Sequence, residues 1–191
     1  MEYNVDVFRE QFPIVKRFLY HLTSYRELYR VYQDLDLESE FWIHTIDAHL
    51  LQAAILWSMV FGSHGCNPTH WEKLCDQDLN TLQKSFRESL FKKASLTQET
   101  WDAYWKKMND FRGGYAAHRE LYYSKPVPDF KLAQEVAYFY DEWIRMVIAP
   151  DIFEEPPLEE SVLRMQKEIR PLVTHFLSVT KLIGLSTEQQ L

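Results

Sequence analysis

Apolar side chains recur at steps of three and four residues along most of the chain, which is the spacing of one face of an α-helix. Six segments share this pattern and predict helices over 3–33, 38–61, 79–93, about 97–122, 130–148 and 157–183. The strict alternation that marks a half-buried strand does not persist anywhere in the sequence. The chain is therefore predicted to be all-α, an up-and-down bundle of four long helices with shorter helices added.

Proline, glycine and capping residues predict where these helices begin and end. Pro13 is expected to end or kink a first short helix, because proline lacks the backbone N–H and clashes with the preceding turn. Gly62 is expected to end the most apolar helix. Ser95 or Thr97, and later Asp129, are suited to cap the helices that follow them.

Length and composition indicate one domain with a sizeable core, since 46% of the 191 residues are hydrophobic. We expect residues 1–155 to form the bundle and residues 156–191 to add a C-terminal helix that packs on the same domain. The formal net charge of −7 argues against a protein that coats nucleic acid through counterion release. An anionic substrate would have to be held by a small basic cluster.

The apolar runs of the chain are too short for a membrane span. The longest, residues 50–62, is interrupted by Gln52 and Ser58 and falls short of the about 20 residues that cross a bilayer. The N-terminal segment lacks the apolar core of a secretory signal, and two cysteines are too few for a disulfide framework. We expect a cytoplasmic protein without membrane association.

The stretch KKMNDFRGGYAAHRE, residues 106–120, contains the tightest basic cluster of the chain. Gly113 and Gly114 lie inside a predicted helix, where the pair costs about 2 kcal/mol relative to alanine. On an ideal helix Arg112 and Arg119 share one face, whereas His118 lies about 120° away from Arg112. Arg112 and His118 converge only if the Gly-Gly step distorts the helix or a second copy completes the site. The smooth surface of the two glycines would admit such a partner helix.

Three short runs carry a resemblance to a known family: Arg112, the Ala-His-Arg run at 117–119 and the Val-Pro-Asp run at 127–129. An arginine, five residues and a histidine on a late helix of a bundle resemble the motif of the HEPN superfamily. The flanking runs are similar to its AbiU2-like abortive-infection group, as are the earlier segments LLQAAILWSMVF and THWEKL. The resemblance extends over residues 40–148.

The resemblance implies metal-independent cleavage of RNA, or binding of RNA or a nucleotide, at a site that needs no cofactor and no metal ion. His118 would be the general acid or base, since an imidazole titrates near neutral pH. Arg112 would stabilise the phosphate in the transition state. Four neighbouring side chains are candidates for substrate binding: Asn109, Asp110, Tyr115 and Arg119. The family also implies a homodimer, an antitoxin protein as a further partner, and a defence or toxin–antitoxin setting.

A second interpretation is a non-catalytic helical scaffold or protein-interaction module that retains only the bundle. Family members usually carry a polar residue directly after the arginine, whereas this chain has Gly113. That departure and the acidic net charge favour the scaffold. The grouping of Arg112, His118 and Arg119 favours the nuclease.

Two further groups of residues have the composition of metal sites. The segment HGCNPTHWEKLC offers four zinc-ligand side chains: His64, Cys66, His70 and Cys75. Their spacing differs from that of zinc fingers and ribbons, so a loop with half-buried cysteines is the favoured interpretation of this segment. A metal-dependent helical hydrolase is a third interpretation of the protein, beside the nuclease and the scaffold. Glu40, His44 and Asp47 share one helix face, but a di-iron bundle also needs Glu-x-x-His pairs on other helices. His44 and His49 are therefore interpreted as core or interface histidines.

Overall fold

The computed structural model describes the backbone of residues 3–65, 67–75, 79–148 and 154–188, and the side chains of these residues except 79 and 184–188. Six α-helices lie within these ranges: α1 (Val5–Asp34), α2 (Glu40–Phe61), α3 (Leu79–Ala94), α4 (Gln98–Phe111), α5 (Lys131–Val147) and α6 (Leu158–Glu188). A 3-10 helix (Trp71–Leu74) precedes α3, and a π-helix (Arg112–Ala117) follows α4. The described residues contain no strand, so the predicted all-α bundle is confirmed. They also contain no helix that is both long and apolar enough to cross a membrane.

The main core forms where α1, α2 and α5 meet the shorter helices. Phe18 of α1, Trp57 of α2 and Tyr140 of α5 are completely buried, and Phe86 of α3 and Phe111 of α4 extend the same cluster. Buried aromatic side chains of this size remove about 150–250 Å² each from water and dominate the energetics of a core. This packing holds the end of α4, and the π-helix that follows it, against α2.

The C-terminal helix α6 packs along α1 through a second, smaller core cluster. The cluster consists of Leu28, Val31, Leu37, Ile46, Val173 and Leu177. Beside it the buried carboxylate of Glu27 accepts hydrogen bonds from Arg170, at 2.8 and 3.0 Å, and from Gln166, at 2.6 Å. Apolar burial and one charged anchor therefore tie α6 to the bundle.

Pro13 does not end the first helix, contrary to the expectation from sequence. The helix α1 continues unbroken from Val5 to Asp34. Pro13 is exposed, whereas its neighbours Phe12, Ile14 and Val15 are buried. Proline in a helix interior costs about 3 kcal/mol, but burying each large apolar side chain contributes about 1.5–3 kcal/mol. Tertiary packing therefore outweighs the local penalty, and α6 continues through its own Pro171 in the same way.

The capping predictions are confirmed at two helix ends, and at a third the predicted residue, Asp129, lies one position before the cap. Gly62 ends α2, and its backbone N–H donates to the carbonyl of Ser58 at 3.1 Å. Thr97 caps α4 in a capping box, in which its hydroxyl accepts the N–H of Thr100 at 3.2 Å and the Thr100 hydroxyl accepts the N–H of Thr97 at 2.9 Å. Asp129 accepts the N–H of Lys131 at 2.9 Å where α5 begins.

Candidate functional site

The sequence predicted that α4 continues through the RGGYAAHR motif to about residue 122, and this prediction is wrong. The α-helix ends at Phe111 and the chain continues as a π-helix over Arg112–Ala117, which stops at His118. The N–H of His118 donates to the carbonyl of Gly113 at 3.1 Å, the i to i+5 bond that defines a π-helix. Two adjacent glycines weaken the α-helical preference enough for this wider turn to form. Because π-helical turns occur frequently at functional sites, this segment is the first candidate.

The two glycines of the motif have different surroundings. A Cβ atom on Gly114 would lie 2.9 Å from Cδ of Glu120 and from the ring of Tyr123, whereas a Cβ on Gly113 would meet nothing within 4 Å. The space over Gly114 is therefore filled by the chain's own following loop. The open side, where another molecule could approach, lies at Gly113.

Alanine substitution is expected to affect the two positions with opposite signs. Gly114→Ala should lower the free energy of unfolding by about 1–2 kcal/mol, because the methyl group would displace Tyr123. Gly113→Ala should raise it by about 0.5–1 kcal/mol, because the space is open and the unfolded chain loses freedom. Denaturant unfolding of both variants measures the difference. A shift of the same sign in both would contradict the difference in packing.

Arg112 lies half-buried at the start of the π-helix and lines a groove of about 430 Å³. The other lining residues come from α2, the loop after it and α4: Ser58, Met59, Ser63, Gly65, Asn67, Pro68 and Asn109. Within the described part of the chain, the Arg112 guanidinium forms no ion pair. Asn109 is fixed beside it, since its Nδ2 donates to the carbonyl of Trp105 at 2.8 Å and its Oδ1 accepts from Ser63 at 3.4 Å. A cation and amide groups thus face one groove.

His118 and its neighbours lie at the opposite end of the π-helix. The His118 side chain is exposed, and no hydrogen bond or ion pair joins it to Arg112 in the part of the chain that is described. The Arg119 guanidinium lies 4.0 Å from the ring centre of Tyr115, a cation–π contact. Tyr115 in turn stacks on Phe111 at 5.3 Å. The structure therefore brings Arg119 onto Tyr115 and Arg112 beside Asn109, and it does not join Arg112 and His118 within one chain by any described contact.

Asp110 holds the loop that follows the motif. Its carboxylate accepts hydrogen bonds from Lys125 at 2.8 Å and from Lys106 at 3.1 Å, and these bonds hold the pKa of Asp110 below its usual value. Tyr123 and Lys125 of this loop line a second cavity of about 310 Å³ together with Asp110. Neither of these lysines lines the Arg112 groove. In this structure Asp110 therefore stabilises the loop and does not contribute to that groove.

A second cluster of polar side chains lies where the loop after α2 meets the 3-10 helix. His64, His70 and Glu72 each place one metal-ligating atom within 4.8 Å of the others. His64 and His70 belonged to the zinc ligands considered from sequence, whereas Glu72 did not. Cys75 is buried and is not a member of the cluster, and Cys66 lies outside the described residues. The signal that could have revealed Glu72 is its spacing, two residues after His70 in a tight turn.

The cluster lies at a cavity of about 370 Å³ with aromatic walls. The wall residues come from α2, the 3-10 helix, α3 and α4: Phe61, Trp71, Phe86, Leu90, Phe91, Trp101 and Trp105. Polar groups also reach this cavity, namely Arg87, Gln98 and Asp102. Trp101 and Trp105 therefore border the His64 cluster, while the Arg112 groove is lined by other residues.

Among the described residues, the histidines of α2 do not belong to a group of potential metal ligands. His44 is exposed, so its interpretation as a core or interface histidine is wrong. The Nδ1 atom of His49 lies 3.0 Å from Nδ1 of His21 on α1, and burial lowers the pKa of both histidines. His49 therefore bridges two helices, as expected of an interface histidine, and His21 is the partner that sequence reasoning missed.

Comparison of the chain with known protein families, with curated proteins and with solved structures finds no match.

Proposed function

We propose that the chain is a HEPN-like protein that binds RNA or a nucleotide at the Arg112 groove and cleaves RNA without a metal ion. One observation carries the proposal: the π-helix extends from Arg112 to the residue before His118 and so coincides with the Arg-x5-His motif. Regular α-helix would be the more stable local structure in isolation, and π-helical turns are frequent at functional sites. The helix is thus distorted at the motif, and convergence of Arg112 and His118 still requires a second copy of the chain.

The groove offers the chemistry that a phosphate requires. The guanidinium of Arg112 is half-buried and has no carboxylate competing for it among the described residues. A guanidinium presents paired N–H donors that match two phosphoryl oxygens. The amide of Asn109 lines the same groove, and the second N–H of its Nδ2, beside the one that binds Trp105, can serve as a neutral donor. These features support a role for Arg112 in holding the scissile phosphate.

His118 would transfer the proton in this reaction. As general base its imidazole would accept the proton of the 2′-hydroxyl while that oxygen attacks phosphorus. As general acid it would donate a proton to the 5′-oxygen as the P–O bond breaks. Arg119, stacked on Tyr115, extends the cationic surface next to His118 and is suited to hold a neighbouring phosphate or base.

A homodimer is part of the proposal, because Arg112 and His118 lie at opposite ends of the π-helix. Two motifs related by a two-fold axis would pair the arginine of one copy with the histidine of the other. Leu121 and Tyr122 follow the motif and are 87% and 97% exposed. Large apolar side chains exposed next to one another are typical of surfaces that another protein covers. An antitoxin protein and a role in cellular defence follow from the family resemblance and belong to the same proposal.

Binding of single-stranded RNA tests the groove directly. Arg112→Ala is expected to weaken binding about 10- to 100-fold, because hydrogen bonds to a charged group contribute about 1.5–3 kcal/mol. Lys107→Ala changes an exposed residue of α4; it is the matched control and should change binding less than about 2-fold. Fluorescence anisotropy with a labelled oligonucleotide measures both. Equal binding by the Arg112→Ala variant and the wild type would reject the groove as the binding site.

The competing proposal is a helical scaffold that binds another protein and no RNA. The exposed apolar side chains of α6 favour it, since Leu172, Phe176 and Val179 follow one another at helical spacing. The net charge of −7 favours it as well. A protein that neither binds nor cleaves RNA in the assay above would fit the scaffold.

A further inference from the structure

We propose that His64, His70 and Glu72 bind a zinc-type divalent cation at the aromatic cavity, with an open coordination position toward that cavity. The inference is independent of the proposed RNA chemistry, which needs no metal ion. Two imidazoles and one carboxylate are a frequent ligand set of zinc sites that keep a fourth position for water or a ligand group. Exposed acidic clusters are common without a metal, but His70 and Glu72 are both buried.

The distances within the cluster suit one shared ion. Glu72 Oε2 lies 2.6 Å from Nδ1 of His64 and 3.8 Å from Nδ1 of His70. Ligand atoms at 2.0–2.2 Å from a tetrahedral zinc lie about 3.3 Å from each other. Glu72 and His64 would therefore have to part by less than about 1 Å, and the three ligand atoms, which lie within 4.8 Å of one another, would have to draw together to that spacing. His64 is half-exposed and can make that movement.

The position of His70 is fixed in the way expected of a ligand. Its Nε2 lies 3.1 Å from the carbonyl oxygen of Gly62, and it must carry the hydrogen because a carbonyl only accepts. Nδ1 then carries the lone pair and accepts the backbone N–H of Glu72 at 3.3 Å, a long hydrogen bond that a metal ion on Nδ1 would replace. Metal-binding histidines usually donate their second N–H to a carbonyl or carboxylate, which sets the tautomer. The carbonyl of His70 itself accepts a hydrogen bond from Gln11 at 2.8 Å, which anchors the turn to α1.

The carboxylate of Glu72 lacks a buried, permanent counter-charge among the described residues. Its side chain is 8% exposed. His64, whose Nδ1 lies 2.6 Å from Oε2, is a cation only when protonated, and the nearest permanent cation is Arg87, whose Nη2 lies 3.4 Å from Oε1. The Arg87 side chain is 47% exposed and therefore weakly coupled to the buried carboxylate. Burying a carboxylate is costly unless it is paired or coordinates a metal. A cation bound at Oε2 would supply the missing charge, while Arg87 would remain on Oε1 and orient the carboxylate.

The open position would face a cavity of about 370 Å³ whose walls are aromatic. A metal ion at its edge can bind a donor atom of a small molecule while the aromatic rings cover the apolar part of that molecule. The class of ligand that fits is therefore a compact aromatic or apolar molecule with one lone-pair or anionic donor group.

Zinc binding by the full-length protein tests the site. Protein stripped with a chelator and dialysed is titrated with Zn²⁺ in a calorimeter, and metal content after re-equilibration is measured by mass spectrometry. The wild type should bind one Zn²⁺ per chain. His64→Gln and Glu72→Gln should each weaken binding at least about 100-fold, since even loss of an outer hydrogen-bond partner costs about 10–100-fold. Arg87→Gln, which changes such an outer partner, should weaken it about 10-fold.

Two matched controls test whether zinc binds at these three side chains. His175→Gln changes an exposed histidine of α6 and should leave binding intact. Cys66→Ser removes a thiolate of the alternative ligand set and should also leave it intact. Three results would each overturn the proposal. They are a wild type that does not bind zinc, a Glu72→Gln variant that binds it as tightly as the wild type does, and a loss of zinc binding in Cys66→Ser alone. Circular dichroism verifies that each variant folds. If Glu72→Gln does not fold, His64→Gln decides the test, because His64 is half-exposed and can be replaced with less effect on folding.

Discussion

Replacing His118 by alanine is expected to slow RNA cleavage by about 10²–10⁴-fold, the usual contribution of a general acid or base. The side chain is exposed at the end of the π-helix, so its removal should change the free energy of unfolding by no more than about 0.5 kcal/mol. Loss of activity can then be attributed to chemistry. Initial rates on a single-stranded RNA, measured with a chelator present, provide the comparison.

The matched control is His175→Ala, which removes an exposed histidine from α6. It should cleave RNA at the wild-type rate. Equal rates for the wild type, His118→Ala and His175→Ala would reject the catalytic role of His118 and leave the scaffold as the better account.

Mixing two inactive variants tests whether two copies of the chain share the site. A heterodimer of Arg112→Ala and His118→Ala contains one intact pair if the arginine and the histidine come from different chains. Recovery of up to about half of the wild-type activity in the heterodimer is then expected. Recovery cannot occur if each chain builds its own site, because each copy lacks one essential residue.

Acidification from pH 5 to pH 2 is expected to remove about 3 kcal/mol of stability through Glu27. Hydrogen bonds from Arg170 are the main cause that lowers the pKa of Glu27 to about 2 from a usual value of 4.5, with further bonds from Gln166 and Arg30, while burial acts in the opposite direction. A carboxyl whose folded pKa lies below the unfolded value stabilises the fold above pH 4.5. That stability is lost as the pH falls toward 2.

The variant Glu27→Gln isolates this contribution. Between pH 5 and pH 2, its free energy of unfolding should fall by about 3 kcal/mol less than that of the wild type. Comparison of variants is needed because other groups also titrate; burial raises the pKa of Asp141, for example, which gives the opposite pH dependence. Glu168→Gln, on an exposed position of α6, is the control and should follow the wild type. Parallel curves for the wild type and Glu27→Gln would show that the α1–α6 anchor is not electrostatic.

The sequence predicted the order of the helices and most of their bounds because helix periodicity and capping are local properties. Thr97 capping α4 and Gly62 ending α2 depend on residues within one turn. The expectation that Pro13 ends a helix is wrong because its local penalty is offset by burial of its neighbours, which only the packed bundle provides.

The candidate sites were predictable in part. The Gly-Gly pair predicts a distortion at the motif, but the π-helix also depends on contacts with α2 and on Tyr123 covering Gly114. The four zinc-ligand side chains considered from composition included His64 and His70, whereas the polar cluster of the structure contains Glu72 and not Cys75. A hydrogen bond from the ring of His70 to the carbonyl of Gly62, eight residues away, sets this geometry.

Local spacing along the chain was enough to establish that it folds as helices, where most of them start and stop, and which short stretch concentrates guanidinium and imidazole groups. These properties depend on residues three or four positions apart. Three others required the packed bundle: α4 widens into a π-helix at Arg112, Asp110 is bound by two lysines, and Glu72 meets two histidines beside an aromatic cavity. Each of these includes a contact between separate elements, such as Lys125 with Asp110 or His64 with Glu72, and the core packing that sets such contacts cannot be read from local spacing.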